Sequence, residues 1–82
     1  MKHKEIFLKI RPIFSDLFKI SLDEINHESN RDNIDNWDSL NHLILIMKLE
    51  EAVSIKFDIE DINKLNSISS IIDEIIKKSK FN

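Results

Sequence analysis

Apolar residues recur with a helical period along most of the chain, and they predict four helices. The first runs from about Lys4 to Phe18, and the second from about Ser39 to Val53. A short third helix is expected from Asp58 to Leu65, and the last begins after Ser67. Strands are the alternative for the isoleucine-rich pieces, but the chain lacks hairpin turn signals. The apolar positions behind these assignments, outside the second helix, are Ile6, Ile10, Ile13, Phe14, Leu17, Ile59, Ile62, Leu65, Ile68, Ile71, Ile72, Ile75 and Ile76.

Single residues mark the helix ends. Asp38 is well placed to cap the second helix, and Ser67 to cap the last one. Lys77 and Lys78 suit the negative end of the last helix dipole. Pro12 removes a backbone donor from the first helix, so we expect either a kink or a late helix start there.

The segment from Ile20 to Asp38 loses the helical period and is predicted to be a long loop. Ser21 and Glu24 have capping-box spacing, which is enough for one short turn. Loops of this length are usually functional or pinned by scattered anchors. The expected anchors are Leu22, Ile25, Ile34 and Trp37. The prediction is therefore an all-α fold: a small four-helix bundle with a long loop between the first and second helices and a short third helix.

The second helix has two apolar faces when its residues are placed at about 100° per residue. One face, the core face, consists of Leu45, Ile46, Leu49 and Val53, with His42 and Ala52 beside it. The opposite face, the outer stripe, consists of Leu40, Leu43, Ile44 and Met47. The charged residues Lys48, Glu50 and Glu51 fall on the half that carries the outer stripe, so that stripe should be exposed and serve as a contact surface. Alternatively, the loop covers it through Ile34 and Trp37.

Composition narrows the function classes. A chain of 82 residues favours one domain, residues 1–82, with a modest core. The lack of cysteine excludes disulfides and zinc-thiolate sites, and the lack of glycine argues against phosphate loops and serine hydrolases. The net charge of −3 does not suit a nucleic-acid binder. With no membrane-spanning apolar run and a poor signal sequence, a cytoplasmic location is expected.

Candidate chemistry concentrates at Ser39. This serine lies on the surface at the first turn of the second helix, where free N–H groups and the helix dipole favour an attached phosphate. Alternatively, Ser39 only begins the helix, and Asp-Ser-Leu by itself favours that interpretation. No metal site is expected, because the three histidines are scattered and the acidic loop lacks the glycine and final glutamate of an EF-hand. His42 is expected to be partly buried and hydrogen-bonded.

The chain resembles the acyl carrier protein family through a set of spaced motifs. They are Asp38-Ser39-Leu40 after Trp37, the Leu-Glu-Glu triplet at 49–51, Ile55, Phe57, and the junction from Leu65 to Ile68. The resemblance implies that Ser39 carries a covalent phosphopantetheine arm, transferred from coenzyme A by a phosphopantetheinyl transferase, and that Asp38 and Leu40 adjoin it. The protein would be a carrier and not an enzyme, acting as a monomer that meets acyl-loading and acyl-using enzymes. The face that these enzymes read would comprise Leu40, Leu43, Ile44, Met47, Glu50 and Glu51.

Several positions depart from the family pattern. Trp37 stands where many members have a small residue, although a Trp-Asp-Ser-Leu version resembles stand-alone carriers of specialised pathways. Asn41 and Ile44 fall where carriers of fatty acid synthesis often have acids, and Val53 replaces a common phenylalanine. A specialised pathway is therefore expected. The rival interpretation is a small helical protein–protein interaction module whose Ser39 is unmodified.

Overall fold

The computed structural model describes residues 2–79 and contains four α-helices in that range. They are α1 (His3–Phe18), α2 (Ser39–Val53), α3 (Ile59–Ile62) and α4 (Ile68–Ser79). The long α1–α2 loop contains one 3₁₀ turn at Leu22–Glu24. Helix α1 packs against both α2 and α4. The predicted all-α bundle, with its long loop and short third helix, is confirmed.

One hydrophobic core joins α1, α2, α4 and the connecting segments, and Ile62 of α3 packs against it. The predicted inner face of α1 is confirmed at Ile6, Ile10 and Phe14, whereas Ile13 and Leu17 are only partly buried. The sequence pattern did not predict that two further aromatic side chains of α1, Phe7 and Phe18, are also buried. The remaining buried apolar side chains are Ile25, Ile34, Trp37, Leu45, Ile46, Leu49, Val53, Phe57, Leu65, Ile68, Ile71, Ile72 and Ile75.

Pro12 does not delay the start of α1, so that alternative is wrong. The helix begins at His3 and continues through Pro12 to Phe18. Pro12 lies on the exposed side of the helix, and so does Leu8, whose carbonyl loses its intrahelical partner. Water can take that partner's place there, which lets the helix tolerate the proline.

Leu22 is not an anchor of the loop, contrary to the prediction, because 44% of its surface is exposed. Its backbone is held instead, since the guanidinium of Arg11 donates from Nε and Nη2 to the Leu22 carbonyl at 2.9 and 2.6 Å. The short turn is confirmed, although Ser21 supplies no side-chain cap to it. The other three predicted anchors are buried: Ile25, Ile34 and Trp37.

Helix α3 is shorter than predicted and differs in its apolar contacts. It ends at Ile62, and the chain reaches the buried Leu65 through a turn closed by the Leu65 N–H and the Ile62 carbonyl at 3.2 Å. Ile59 is 87% exposed, so its assignment to the packed face is wrong. Only the C-terminal end of this single turn meets the core, since Ile62 is partly buried against it and Ile59, at the first position of the helix, faces solvent.

Helix α4 has the predicted cap and is tied to the α3 segment by an ion pair. The Ser67 Oγ accepts from the Ser70 N–H at 3.1 Å. Lys78 Nζ donates to the Asp58 carboxylate at 3.1 Å, and Glu74 lies 3.8 Å away. The hydrogen bond to Asp58 holds the pKa of the Lys78 amine above its usual 10.5. This contribution to stability is therefore present at neutral pH and is lost as the pH rises past that value.

Among residues 2–79, which include no glycine, three adopt the left-handed conformation: Lys19 (φ 58°), Asn36 (φ 69°) and Ser54 (φ 55°). Lys19 and Ser54 follow the last residues of α1 and α2. Asparagine tolerates this region, but a Cβ there costs other residues roughly 1 kcal/mol.

The strain at Lys19 predicts opposite effects of glycine at Lys19, just after α1, and at Lys9 inside that helix. Lys19→Gly should raise the free energy of unfolding by about 0.5–1 kcal/mol, because glycine adopts a positive φ without steric cost. Lys9→Gly, at an exposed interior position of α1, should lower it by about 1 kcal/mol. Urea denaturation of both variants measures the difference. Equal signs would contradict the left-handed cap at Lys19.

Candidate functional site

Ser39 is the first residue of α2, and its side chain is exposed. The carboxylate of Asp38 caps this helix by accepting from the Asn41 N–H at 2.9 Å, which confirms the predicted N-cap. The amide of Asn41 donates to the Asn36 carbonyl at 2.8 Å, where the chain turns through a left-handed residue. These bonds fix the start of the helix and hold the Ser39 hydroxyl toward solvent.

Trp37 anchors this helix start to the core. Its indole packs at 5.5 Å from the rings of both Phe14 and Phe18, and only 4% of its surface is exposed. The indole N–H donates to His42 Nδ1 at 2.9 Å. Because indole can only donate, Nδ1 is the acceptor and His42 carries its proton on Nε2. That nitrogen lies 2.8 Å from the Ile62 carbonyl and donates to it, which ties α2 to the end of α3.

His42 is therefore buried and hydrogen-bonded at both ring nitrogens, with 2% of its surface exposed. The expectation that it is a hydrogen-bonded residue is confirmed, and its burial is more complete than predicted. His3 and His27 lie elsewhere, with their ring centroids 5.1 Å apart. Among residues 2–79, no cluster of three or more histidine or acidic side chains is arranged to hold a metal ion.

Arg31 lies beside Ser39, a contact that sequence reasoning missed. Its Nη2 donates to Ser39 Oγ at 3.3 Å, and its Nε donates to the Trp37 carbonyl at 3.1 Å. The loop that carries Arg31 is in turn held by the Asn66 carbonyl, which accepts from the Arg31 N–H at 2.8 Å. Seven residues of irregular chain separate Arg31 from Ser39, so no periodic pattern could have linked them.

The outer stripe is open to solvent. Leu40, Leu43 and Met47 are 68%, 53% and 66% exposed, and Ile44 is half-buried. The opposite face of α2 is buried at every predicted apolar position, and Ala52 beside it is partly buried. Ile34 and Trp37 point into the core and leave the stripe uncovered. The alternative in which the loop conceals the stripe is therefore wrong.

The two acidic residues at the end of α2 differ in whether their carboxylates are engaged in a hydrogen bond. Glu50 is half-buried, and its Oε2 accepts from the Phe57 N–H at 2.9 Å, so this carboxylate fixes the α2–α3 connection. Glu51 is exposed. An open groove adjoins the end of the outer stripe, lined by Met47, Glu50, Glu51, Ser54, Ile55, Lys56 and Lys78. Of these two acids, Glu51 alone presents an unengaged carboxylate beside the stripe.

Comparisons with known proteins identify the family of this chain. An acyl carrier protein of Buchnera aphidicola subsp. Schizaphis graminum is 38% identical over 73 residues, covering 88% of this chain and 91% of that protein. The chain belongs to the acyl carrier protein family. The family member of Lactobacillus johnsonii is 31% identical over 75 residues, which cover 92% of this chain and 94% of that protein. No protein-family model matches the chain.

A solved structure supports the family at the level of the fold. An acyl carrier protein from Enterococcus faecalis superposes with a TM-score of 0.75 at 25% identity, covering 94% of this chain and 98% of that one. Acyl carrier proteins are carriers of acyl groups and not enzymes. Within residues 2–79, no helix combines the length and apolar character that crossing a bilayer requires.

Proposed function

We propose that this chain is a single carrier domain that holds an acyl group on a phosphopantetheine arm attached to Ser39. The observation that carries the proposal is an exposed serine hydroxyl at the start of α2, at the end of an open apolar stripe, in a chain of this family. When bound, the arm supplies a thiol that forms a thioester with the cargo. The protein supplies the position and the recognition.

The residues around Ser39 fit such a group. The hydroxyl faces solvent, so a transferase can reach it, and the guanidinium of Arg31 is within hydrogen-bonding distance of its oxygen. Asp38 is engaged as the helix cap, and Leu40 is exposed beside the hydroxyl. In loading from coenzyme A, the Ser39 oxygen would form a bond to the phosphorus next to the pantetheine as the pyrophosphate P–O bond breaks. The serine proton would be lost to the transferase or solvent, and adenosine 3′,5′-bisphosphate would leave.

The outer stripe is proposed to be the surface read by the transferase and by acyl-loading and acyl-using enzymes. It continues from Leu40 next to Ser39 to Met47, and the acids Glu50 and Glu51 lie at its far end. Docking at this stripe would hold the tethered cargo at a high effective concentration near each enzyme. Because Glu50 already bonds the Phe57 N–H, Glu51 is the stronger candidate for a charged contact.

Peptide mapping after loading tests the attachment directly. The chain is incubated with coenzyme A, magnesium and a broad-range phosphopantetheinyl transferase, and is then digested with trypsin. Cleavage after Arg31 and Lys48 gives the peptide 32–48, in which Ser39 is the only hydroxyl side chain. The added mass should appear on this peptide alone. An unmodified chain would favour the rival function, a helical interaction module that uses the same stripe without a prosthetic group.

We further propose a specialised pathway over bulk fatty acid synthesis. The first turns of α2 contain no acid at Asn41 or Ile44, and Lys48 adds a positive charge on the outer half. Electrostatic steering toward a basic docking patch is weakened by both features, so docking depends more on the apolar stripe. The carrier should therefore be a poor substrate for the malonyl transferase and ketosynthase of fatty acid synthesis.

Adding one acid should improve that activity. Ile44→Glu is the useful substitution, because Ile44 is only half-buried whereas the Asn41 amide is engaged with the Asn36 carbonyl. Turnover of the loaded variant by the two enzymes should rise about 3–10-fold at low salt and approach the parent value at high salt. Ile44→Gln, similar in size but neutral, is the control. Efficient turnover of the parent chain would overturn the specialised-pathway proposal and leave the attachment at Ser39 intact.

A further inference from the structure

Arg31 is held in place by three hydrogen bonds to two other residues, Asn66 and Trp37. Its own N–H donates to the Asn66 carbonyl, its Nε to the Trp37 carbonyl, and its Nη1 reaches the Asn66 Oδ1 at 3.5 Å. The flanking chain is fixed as well, because the Ile68 N–H donates to the Ser29 carbonyl at 3.0 Å. The remaining nitrogen, Nη2, is the one directed at Ser39 Oγ. The guanidinium is thus oriented before any group is attached.

The guanidinium of Arg31 is not engaged in an ion pair within residues 2–79. In the described part of the chain, the side-chain ion pairs involve Arg11 with Asp23, and Lys78 with Asp58 and Glu74, and none involves Arg31. The partners of Arg31 are instead a carbonyl, an amide and a hydroxyl, all of them neutral. An oriented cation whose hydrogen-bond partners are all neutral attracts an anion placed beside it.

We propose that Arg31 is a positioning residue that binds the phosphodiester once it is attached to Ser39. The inference rests on the proposed function and adds to it a residue that receives the new negative charge. Guanidinium–phosphate hydrogen bonds are charge-assisted and about twice as strong as neutral ones. The contact would restrain the root of the arm at the end of the outer stripe, and the thiol end would stay free to move. Arginine suits this role better than lysine because its planar guanidinium can bond the Trp37 carbonyl through Nε while Nη2 stays directed at the phosphate.

The experiment compares unloaded and loaded forms of four proteins: the parent, Arg31→Gln, Arg31→Lys and Arg11→Gln. Arg11 is a matched control, because it is the only other arginine and also donates to a loop carbonyl, that of Leu22. Complete loading is verified by intact mass. The thermal midpoint of each form is then measured at low and high salt, and the two arginine Nε–H resonances are followed by NMR.

Loading should raise the midpoint of the parent by roughly 2–5 °C at low salt, and less at high salt. Arg31→Gln should lose at least half of this rise and keep only what the helix dipole provides. Arg31→Lys should recover part of it, and Arg11→Gln should keep all of it. The Arg31 Nε–H resonance should shift on loading while that of Arg11 stays in place. A residue with a merely structural role would lower both forms equally and leave the difference unchanged.

An equal rise in the parent and in Arg31→Gln, with the Arg31 resonance unmoved, would overturn the inference while Ser39 remains the attachment residue. A parent chain that gains no mass on peptide 32–48 overturns the proposed function, and this inference with it. The peptide mass therefore tests the attachment to Ser39, and the thermal midpoint separately tests the role of Arg31.

Discussion

Ser39→Ala is expected to abolish loading while leaving the fold intact. The substitution removes the only hydroxyl at the start of α2, so no oxygen remains to form the bond to phosphorus. The side chain is exposed and makes one side-chain hydrogen bond, to Arg31 at 3.3 Å. The free energy of unfolding should therefore change by no more than about 1 kcal/mol. Intact mass after incubation with the transferase measures the first effect, and urea denaturation measures the second.

Ser54→Ala is the matched control for this loss. Ser54 is also exposed and lies at the opposite end of the same helix. This variant should load as completely as the parent chain. Retention of the phosphopantetheine mass by Ser39→Ala would show that another residue is modified. A large loss of stability would show instead that the serine is needed for the helix start, and the loading result would then have to be repeated with Ser39→Cys.

Substitutions to alanine on the two apolar faces of α2 are expected to have different effects: those on the core face should reduce stability, and those on the outer stripe should reduce docking. Leu45→Ala and Leu49→Ala should each lower the free energy of unfolding by roughly 2–5 kcal/mol, since both side chains are fully buried and their loss leaves a cavity. Leu43→Ala and Met47→Ala should each cost less than about 1 kcal/mol, because more than half of each side chain already faces solvent. Thermal or urea denaturation gives the comparison.

Leu43→Ala and Met47→Ala should weaken docking, each in proportion to the apolar surface that the lost side chain buries in the complex. Loading rates with the transferase, measured over a range of carrier concentrations, should show a raised KM for Leu43→Ala and Met47→Ala. Leu8→Ala is a suitable control, because Leu8 is exposed to the same degree as Leu43 but lies on α1. Similar stability losses at all four α2 positions would contradict the assignment of faces. An unchanged KM would remove the outer stripe from the docking surface.

The features that could be predicted from the sequence are those determined by residues close together in the chain. The Asp38 cap depends on residues three apart, and the two faces of α2 follow from the helical period together with the charges at Lys48, Glu50 and Glu51. Prediction failed where the outcome depends on contacts between distant segments. Leu22 has the right chemistry for an anchor, but Arg11 from α1 holds its backbone and leaves its side chain outside. Nothing within the loop could have indicated that.

The candidate site divides in the same way. Ser39 and the outer stripe could be located from spacing, because both belong to one helix whose boundaries were predicted correctly. The neighbouring guanidinium could not be located, since its approach requires the loop to be held against Asn66, near the start of α4. The bond from His42 to the Ile62 carbonyl likewise joins segments 20 residues apart. Such bonds become visible only when the tertiary arrangement is known.

The burial of Trp37 gives this molecule an intrinsic optical probe. The chain has one tryptophan and no tyrosine, so its near-ultraviolet fluorescence arises essentially from that single indole. The indole packs against two phenylalanine rings, donates to His42 and stands two residues before Ser39. Its emission should shift to longer wavelength when water reaches the ring. Unfolding, and any rearrangement at the start of α2 on loading, can therefore be followed in real time without attaching a dye.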